Sequence, residues 1–266
     1  MALFGAITNK DVELGKLKEG RVHPVYKDGN LLFTPIKKGE APTPGFDFAT
    51  DEPSKIAANP DKYPIGATRI ETFKNGDKYT LIIADKFHDE LLTWPREKVG
   101  LTICSKFLYK EARRLASSQT NVGGYTATEM KNYLDQTFFD TIMPDNWRPN
   151  VKPVVKKYLN GGSDGVTNVT TVSEEELRVW IAARVEMDGT TTSGYRDEGY
   201  QYPIFAGIDD YRSKFEGPDT PDRGHWFRSA QTSTNTSFSY VNPSTGGIGS
   251  ANPAGTTYGF RFFFCV

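Results

Sequence analysis

Two stretches early in the chain alternate apolar and polar residues around a turn dipeptide. RVHPVYKDGNLLFTPI sets Asp28-Gly29 between apolar-rich runs, and ATRIETFKNGDKYTLIIADKF sets Asn75-Gly76 between clearer ones. Both dipeptides tolerate the positive φ angles of a tight two-residue turn, so each pair of runs predicts an antiparallel hairpin. The second signal is the stronger, because Tyr79, Leu81 and Ile83 alternate with Thr80 and Ile82. Between the hairpins, residues 37–66 hold Pro42, Pro44, Pro53, Pro60 and Pro64 with little apolar periodicity. That composition predicts an extended connector without a core of its own.

Helical spacing follows. Residues 105–119, SKFLYKEARRLASSQ, are good helix formers with Phe107, Leu108, Ala112 and Leu115 on one side. In GGYTATEMKNYLDQTFFDTIMP, Thr126 and Glu129 have capping-box spacing, and Met130, Leu134 and Phe138 recur at helical steps up to Pro144. VKPVVKKYLNGG predicts a third, short helix, with Pro153 in its first turn and Gly161-Gly162 as its stop. VTTVSEEELRVWIAARVEM carries two signals at once. Ser173 and Glu176 imitate a capping box, but Leu177, Val179 and Ile181 alternate with Arg178 and Trp180, and the strand reading is preferred. Residues 188–225 read as long loops, and the chain closes in strands at Phe238–Val241 and over the apolar run Phe260–Val266.

Composition narrows the function classes. At 266 residues with 37% hydrophobic and 13% aromatic content, the chain can bury a substantial core. A net charge of -1 argues against nucleic acid as a partner, because phosphate binding needs clustered Lys and Arg. No stretch approaches the ~20 apolar residues of a membrane span, and the short apolar start lacks the basic flank of a signal peptide. A soluble protein made in a cytoplasm is expected. Cys104 and Cys265 make neither a disulfide framework nor a zinc site and are expected to be reduced and partly buried.

Searching for catalytic chemistry leaves little. His23, His88 and His225 are the only histidines, none in a metal-binding spacing, and no nucleophile elbow, phosphate loop or dinucleotide fingerprint is present. Asp197, Glu198, Asp209, Asp210, Glu216, Asp219 and Asp222 fall in one loop-rich region. Hard cations take such oxygens, but without an EF-hand pattern the solvated-loop reading is preferred, and neither a metal nor a cofactor is expected.

From Ala230 to Thr257 the chain carries no Asp, Glu, Lys or Arg, although 24% of the whole is charged. Its Ser, Thr, Asn, Gln and Tyr side chains offer donors and acceptors for a hydroxyl-rich ligand or a protein epitope, and its aromatics offer stacking faces. The candidate ligand-binding residues are Gln231, Ser233, Asn235, Ser237, Tyr240, Asn242, Ser244, Asn252 and Tyr258. Trp226, Arg228, Gly259 and Arg261 are candidate framework. On this reading "HWFRS" and "YGFRFFFCV" are paired framework strands that display the loop between them.

GGYTATEMKNYLDQTFF, MPDNWRPNVKPVVKKY, EGYQYPIF, GHWFRSA, FSYVNPSTGGIG and YGFRFFFCV occur in an order that resembles a family of C-type-lectin-like domains found in bacteriophage virion proteins and gut-bacterial proteins. The opening ELGKLKEGRV also looks like the start of phage structural proteins that carry this domain. The resemblance implies an α+β fold of short antiparallel strands, two or more helices and long irregular loops. The expected organisation is an N-terminal β-rich docking unit (1–36), a Pro-rich connector (37–66) and a lectin-like domain (67–266).

It further implies a protein of the virion surface, made in the host bacterial cytoplasm, that binds a host-surface glycan or protein. Other virion proteins would be met through the N-terminal unit, as a homo-oligomer with a trimer favoured, without nucleic acid or membrane insertion. The alternative is a capsid-decoration, head-fibre or tail-assembly protein that uses the same fold for subunit contacts. Some related proteins are diversified by retroelements, and Asn235, Ser237, Tyr240 and Asn242 are compatible with that. The calcium-lectin motifs are absent, which argues against a calcium-bridged sugar site. Formylglycine-generating enzymes share the fold and a Gly-Phe-Arg, here Gly259-Phe260-Arg261, but no reactive cysteine pair is evident, so no enzymatic activity is expected.

Overall fold

The computed structural model describes residues 43–165, 167–207, 224–251 and 253–266, with the backbone of two further strands at Val25–Lys27 and Asn30–Phe33. The chain divides into two units, Met1–Glu40 and Ala41–Val266. In the first, β1 (Val25–Lys27) and β2 (Asn30–Phe33) pair antiparallel, with Lys27 opposite Asn30 across the Asp28-Gly29 dipeptide.

The second unit is mixed α+β, with antiparallel strand pairs and few helices. Where a connector was expected, the residues from Thr43 are packed structure. Phe48, Ile56 and Tyr63 belong to the core, and the Tyr63 hydroxyl donates to Asp51 at 2.9 Å. The prolines act here as helix starters. Pro53 opens α1 (Pro53–Ala58) and Pro60 opens a 3₁₀ turn, positions where a missing N–H costs nothing.

Next comes the hairpin of β3 (Thr68–Thr72) and β4 (Lys78–Lys86), with Tyr79, Leu81 and Ile83 buried as their alternation predicts. Its turn is longer than the two residues expected. The Phe73 and Asp77 backbones bond at 2.8 Å around a three-residue loop, and only Gly76 of the Asn-Gly pair takes a positive φ, 85°. A type I turn closed by a left-handed glycine accounts for this.

β5 (Leu101–Ser105) is buried along its whole length. The helix expected over 105–119 is absent. That segment takes an irregular, bent course, because its backbone finds partners at the far end of the chain. Tyr109 N–H donates to the Phe260 carbonyl at 2.8 Å, and Arg113 and Tyr258 exchange bonds at 2.8 and 3.1 Å. Non-local pairing overrides local helix propensity here.

The second expected helix exists with a different cap. Thr128, not Thr126, accepts from the Lys131 N–H and opens α2 (Glu129–Asn132). The helix continues through Tyr133–Ile142 in wider π turns, and Met130, Leu134 and Phe138 face the core. The third expected helix is instead β6 (Val154–Leu159), paired along its length with β7 (Val172–Leu177). Two of its apolar pairs, Val154-Val155 and Tyr158-Leu159, fit a strand covered on both faces better than a helix stripe. β7 places a strand in the first part of the ambiguous segment, but Val179, Trp180 and Ile181 lie beyond it and are all buried instead of alternating, and α3 (Arg184–Asp188) follows.

The remaining strands are β8 (His225–Ala230), β9 (Phe238–Val241), β10 (Ile248–Ala251) and β11 (Phe263–Cys265). They form sheets ordered β11-β5-β4-β3 and β10-β9-β8, beside the β6-β7 pair. "HWFRS" and the closing run are therefore not partners within one sheet. They meet through a parallel bridge between His225 and Gly259, while β11 pairs with β5 and β8 with β9. Between the sheet and the long helix lies an aromatic core. Phe262 sits 4.8 Å from Phe138 and 5.5 Å from Phe73, and Phe260 stacks on Tyr109 at 4.7 Å. Each such buried ring stabilises the fold by roughly 1.5–3 kcal/mol.

Candidate functional site

Two polar regions are built on this core. The first is the uncharged C-terminal segment, whose base is fixed by a residue far upstream. Asn121 is fully buried, and its side-chain amide donates to the carbonyls of Thr234 and Ser237 at 2.8 Å and reaches that of Gln231 at 3.2 Å. Its backbone N–H donates to the Asn235 carbonyl at 2.8 Å, and its side-chain oxygen accepts from Gly162 N–H at 2.8 Å. Gly161 allows this approach, since a Cβ there would lie 2.0 Å from the Asn121 carbonyl oxygen.

The candidate ligand residues divide on this base. Ser233, Asn235 and Ser244 are exposed, and Ser237 is half-buried. Gln231 is tied inward, accepting from the Tyr195 hydroxyl at 2.8 Å and donating to Ser239 at 3.2 Å. Asn242 closes its own turn, accepting from Ser244 N–H at 2.8 Å. Tyr240 and Tyr258 stack at 4.5 Å, with the edge of Trp226 4.9 Å from Tyr258. Burial pushes the Tyr258 phenol up to about 12, so it is a neutral donor at physiological pH. Asn252 lies outside the described residues, as do Asp209, Asp210, Glu216, Asp219 and Asp222.

The framework candidates are all buried. Trp226 donates its indole N–H to the Arg113 carbonyl at 2.9 Å. Gly259 packs where a Cβ would lie 2.8 Å from Leu108. Arg261 donates to the Lys106 carbonyl at 2.6 Å beneath the Phe205 ring, and burial lowers it to about 10. Arg228 leads into the second region.

That region is a buried ionic cluster. Arg228 is fully enclosed and holds Glu186 through two bonds of 2.5 and 2.8 Å, and it also donates to the carbonyls of Lys157, Ile181 and Glu198. Lys156, buried on β6, lies 2.5 Å from both Asp89 and Glu186 and 3.1 Å from the Tyr202 hydroxyl. Asp89 also accepts from Thr102 at 2.6 Å and from Tyr202 at 3.1 Å. Burial opposes the charge on Asp89 and Glu186, but Lys156 and His88 hold the first, and Arg228 and Lys156 the second, below the usual range.

Glu198 differs. It accepts from Leu159 N–H at 3.0 Å and contacts the Ser229 hydroxyl, and burial raises it to about 7 despite Arg228 nearby. Once Glu198 is protonated, two carboxylates face two cations.

A cleft of about 150 Å³ reaches this cluster, bounded by His88 and Tyr200 on one side and Arg96, Lys98 and Lys157 at the rim. Arg96 is paired with Glu174, and His88 with Asp85 at 2.7 Å. Among the described residues no group of His, Cys, Asp and Glu is arranged to hold a metal ion. Burial pushes the Cys104 thiol up to about 11 and the Cys265 thiol well above its ordinary value, which removes both as nucleophiles at neutral pH.

Sequence reasoning did not find Asn121, Asp89, Lys156, Glu186 or Tyr202. Their signal is faint: a lysine inside VVKKYL and a glutamate inside AARVEM, each a polar residue in an apolar run. Glu198 was found, but as a solvated acid.

The sequence profile described as Domain of unknown function (DUF6273) matches residues 80–266, well over half of the chain. This chain belongs to the DUF6273 family. The DUF6273 match begins within β4 and covers both polar regions whole, while α1 and β3 precede it. No curated protein and no solved structure matches the chain.

Proposed function

We infer that this DUF6273 protein is a non-catalytic binding protein of a bacteriophage particle, whose C-type-lectin-like domain presents the 231–251 segment to a host-surface glycan or protein. One observation carries the binding reading. Asn121 fastens the backbone of residues 231–237 from below, leaving the side chains of Ser233, Asn235 and Thr236 outward in solvent. Ordering a loop before it meets a ligand lowers the entropy cost of binding. The lectin-like reading is supported by the ordered sequence motifs together with short antiparallel strands, few helices and long irregular segments. Placement on a phage particle is supported by those motifs alone. The sealed cysteines support the non-catalytic reading.

A single protein–sugar contact of millimolar strength contributes about -4 kcal/mol, and repeated copies on a particle raise avidity roughly 10²–10⁴-fold. The test replaces Ser233, Asn235 and Thr236 together with Ala. Adsorption of the purified chain to bacterial cells should drop at least tenfold, and unchanged adsorption would refute the loop as the contact. Tyr240 and Asn242 are unsuitable, because their side chains hold the loop together.

An assembly role has its own support. The loop between β4 and β5 exposes Leu92 and Trp94, the latter at 92%, and apolar side chains so displayed mark contact surfaces. If that role is the main one, Leu92→Ser with Trp94→Ser blocks incorporation into particles and leaves adsorption of the isolated chain intact.

A further inference from the structure

We propose that Lys156 and Asp89 become joined by an intramolecular amide bond that the chain forms on itself. Four features of the ionic cluster converge on this. The Lys156 amine lies 2.5 Å from an oxygen of Asp89, and the two side chains are only 4% and 3% exposed. A second carboxylate, Glu186 Oε1, lies 2.5 Å from the same amine on another side. The other Asp89 oxygen, Oδ2, faces two hydroxyls, Thr102 at 2.6 Å and Tyr202 at 3.1 Å. The surroundings are aromatic, with the amine 5.0 Å from the centre of the Trp180 ring.

This is the set of groups that amide formation needs: a nucleophile, an acyl carbon, a proton carrier and donors for the oxyanion. Arg228 neutralises Glu186, so the reacting pair itself carries no net charge. A proton passes from the amine to Asp89 Oδ1, giving a neutral amine and a carboxylic acid. The nitrogen lone pair then attacks Cγ, and the carbonyl electron pair moves onto Oδ2, where Thr102 and Tyr202 stabilise it. Glu186 takes a second proton from the nitrogen and returns it to the departing Oδ1 hydroxyl. The C–O bond breaks, water leaves through the adjacent cleft, and Glu186 is a carboxylate again. The balance is one amine and one carboxyl group converted to one amide and one water, with no oxidant or cofactor.

Two physical terms favour the reaction. Holding the groups in contact gives effective molarities of roughly 10⁵–10⁸ M in well-oriented systems. Removing a buried ion pair also relieves its desolvation cost. The product N–H then donates to Glu186, and the product carbonyl keeps both hydroxyl donors. The bond joins residues 67 apart in the chain and fastens the β4–β5 loop to β6.

The test is the intact mass of the purified full-length chain under denaturing conditions. The proposal expects a mass one water below that of the linear chain, and a branched proteolytic peptide joining the Asp89 and Lys156 segments. Lys156→Arg should restore the full mass. A wild-type chain at full mass overturns the proposal without any variant having to fold. A branch between Lys156 and Glu186 in place of Asp89 overturns it as well.

Discussion

Asp89, Lys156, Glu186, Glu198 and Arg228 are sealed inside the fold, whereas the stretch from Ala230 to Thr257 carries no charge and exposes Ser233, Asn235, Thr236 and Ser244. Inside, each ionic group is matched to a partner, and its value lies in holding β6, α3 and β8 in one arrangement. Outside, Asn121 holds the backbone and Gln231 and Asn242 are tied into the loop, while side chains such as Ser233 and Asn235 are left to solvent. The buried charges tie elements of the fold together, and the exposed uncharged side chains are the ones proposed to meet a ligand. The contrast predicts that damage to the two regions will differ in kind as well as in size.

The largest effect is expected at Arg228. Arg228→Met leaves Glu186 buried with one cation fewer and should cost about 3–5 kcal/mol in chemical denaturation. A loss below about 1 kcal/mol would mean the cluster is wetter and weaker than its geometry. Asn121→Ala should follow, at about 2–3 kcal/mol, since several backbone groups of the loop lose their buried partner. Hydrogen exchange should then speed up across 231–237 while β5 stays protected, and uniform acceleration would contradict a local role.

Next comes pH. Burial raises Glu198 from 4.5 to about 7, so its contribution is full below pH 4.5 and fades as pH rises toward 7. Burial lowers His225 from 6.5 to about 3, so its contribution is full above pH 6.5 and fades as pH falls. Between pH 4.5 and 6.5 the two slopes oppose each other. Glu198→Gln removes one of them, and the variant should lose about 2 kcal/mol relative to wild type on going from pH 6.5 to 4.5. Parallel stability curves for the two proteins would show that Glu198 is not held protonated.

The regions also differ in how far they were legible. The loop stood out at once, because a long run without charge is visible in one dimension. The hairpin at Asn75-Gly76 and the core face of Met130, Leu134 and Phe138 were readable for the same local reason. Residues 105–119 and 151–162 were misread as helices because their partners, Phe260 and Val172–Leu177 among them, are supplied by folding. The cluster was hidden likewise. Lys156 and Glu186 look like ordinary charged residues until β6 and α3 bring them together, and Glu198 gave no sign of burial. Pairing between distant segments leaves no periodicity to read.

The smallest expected change in stability belongs to the loop surface, where Ser233, Asn235 and Thr236 together with Ala should stay within about 0.5 kcal/mol of wild type. That near-silence makes the decisive experiment clean. Binding of the loop triple variant to bacterial cells and their surface glycans is measured beside that of a cleft-rim variant, Arg96→Ser with Lys98→Ser. The account predicts that the loop variant loses at least tenfold in affinity, that the rim variant binds as wild type does, and that added salt changes little. Loss of binding in the rim variant with the loop variant unaffected would contradict it.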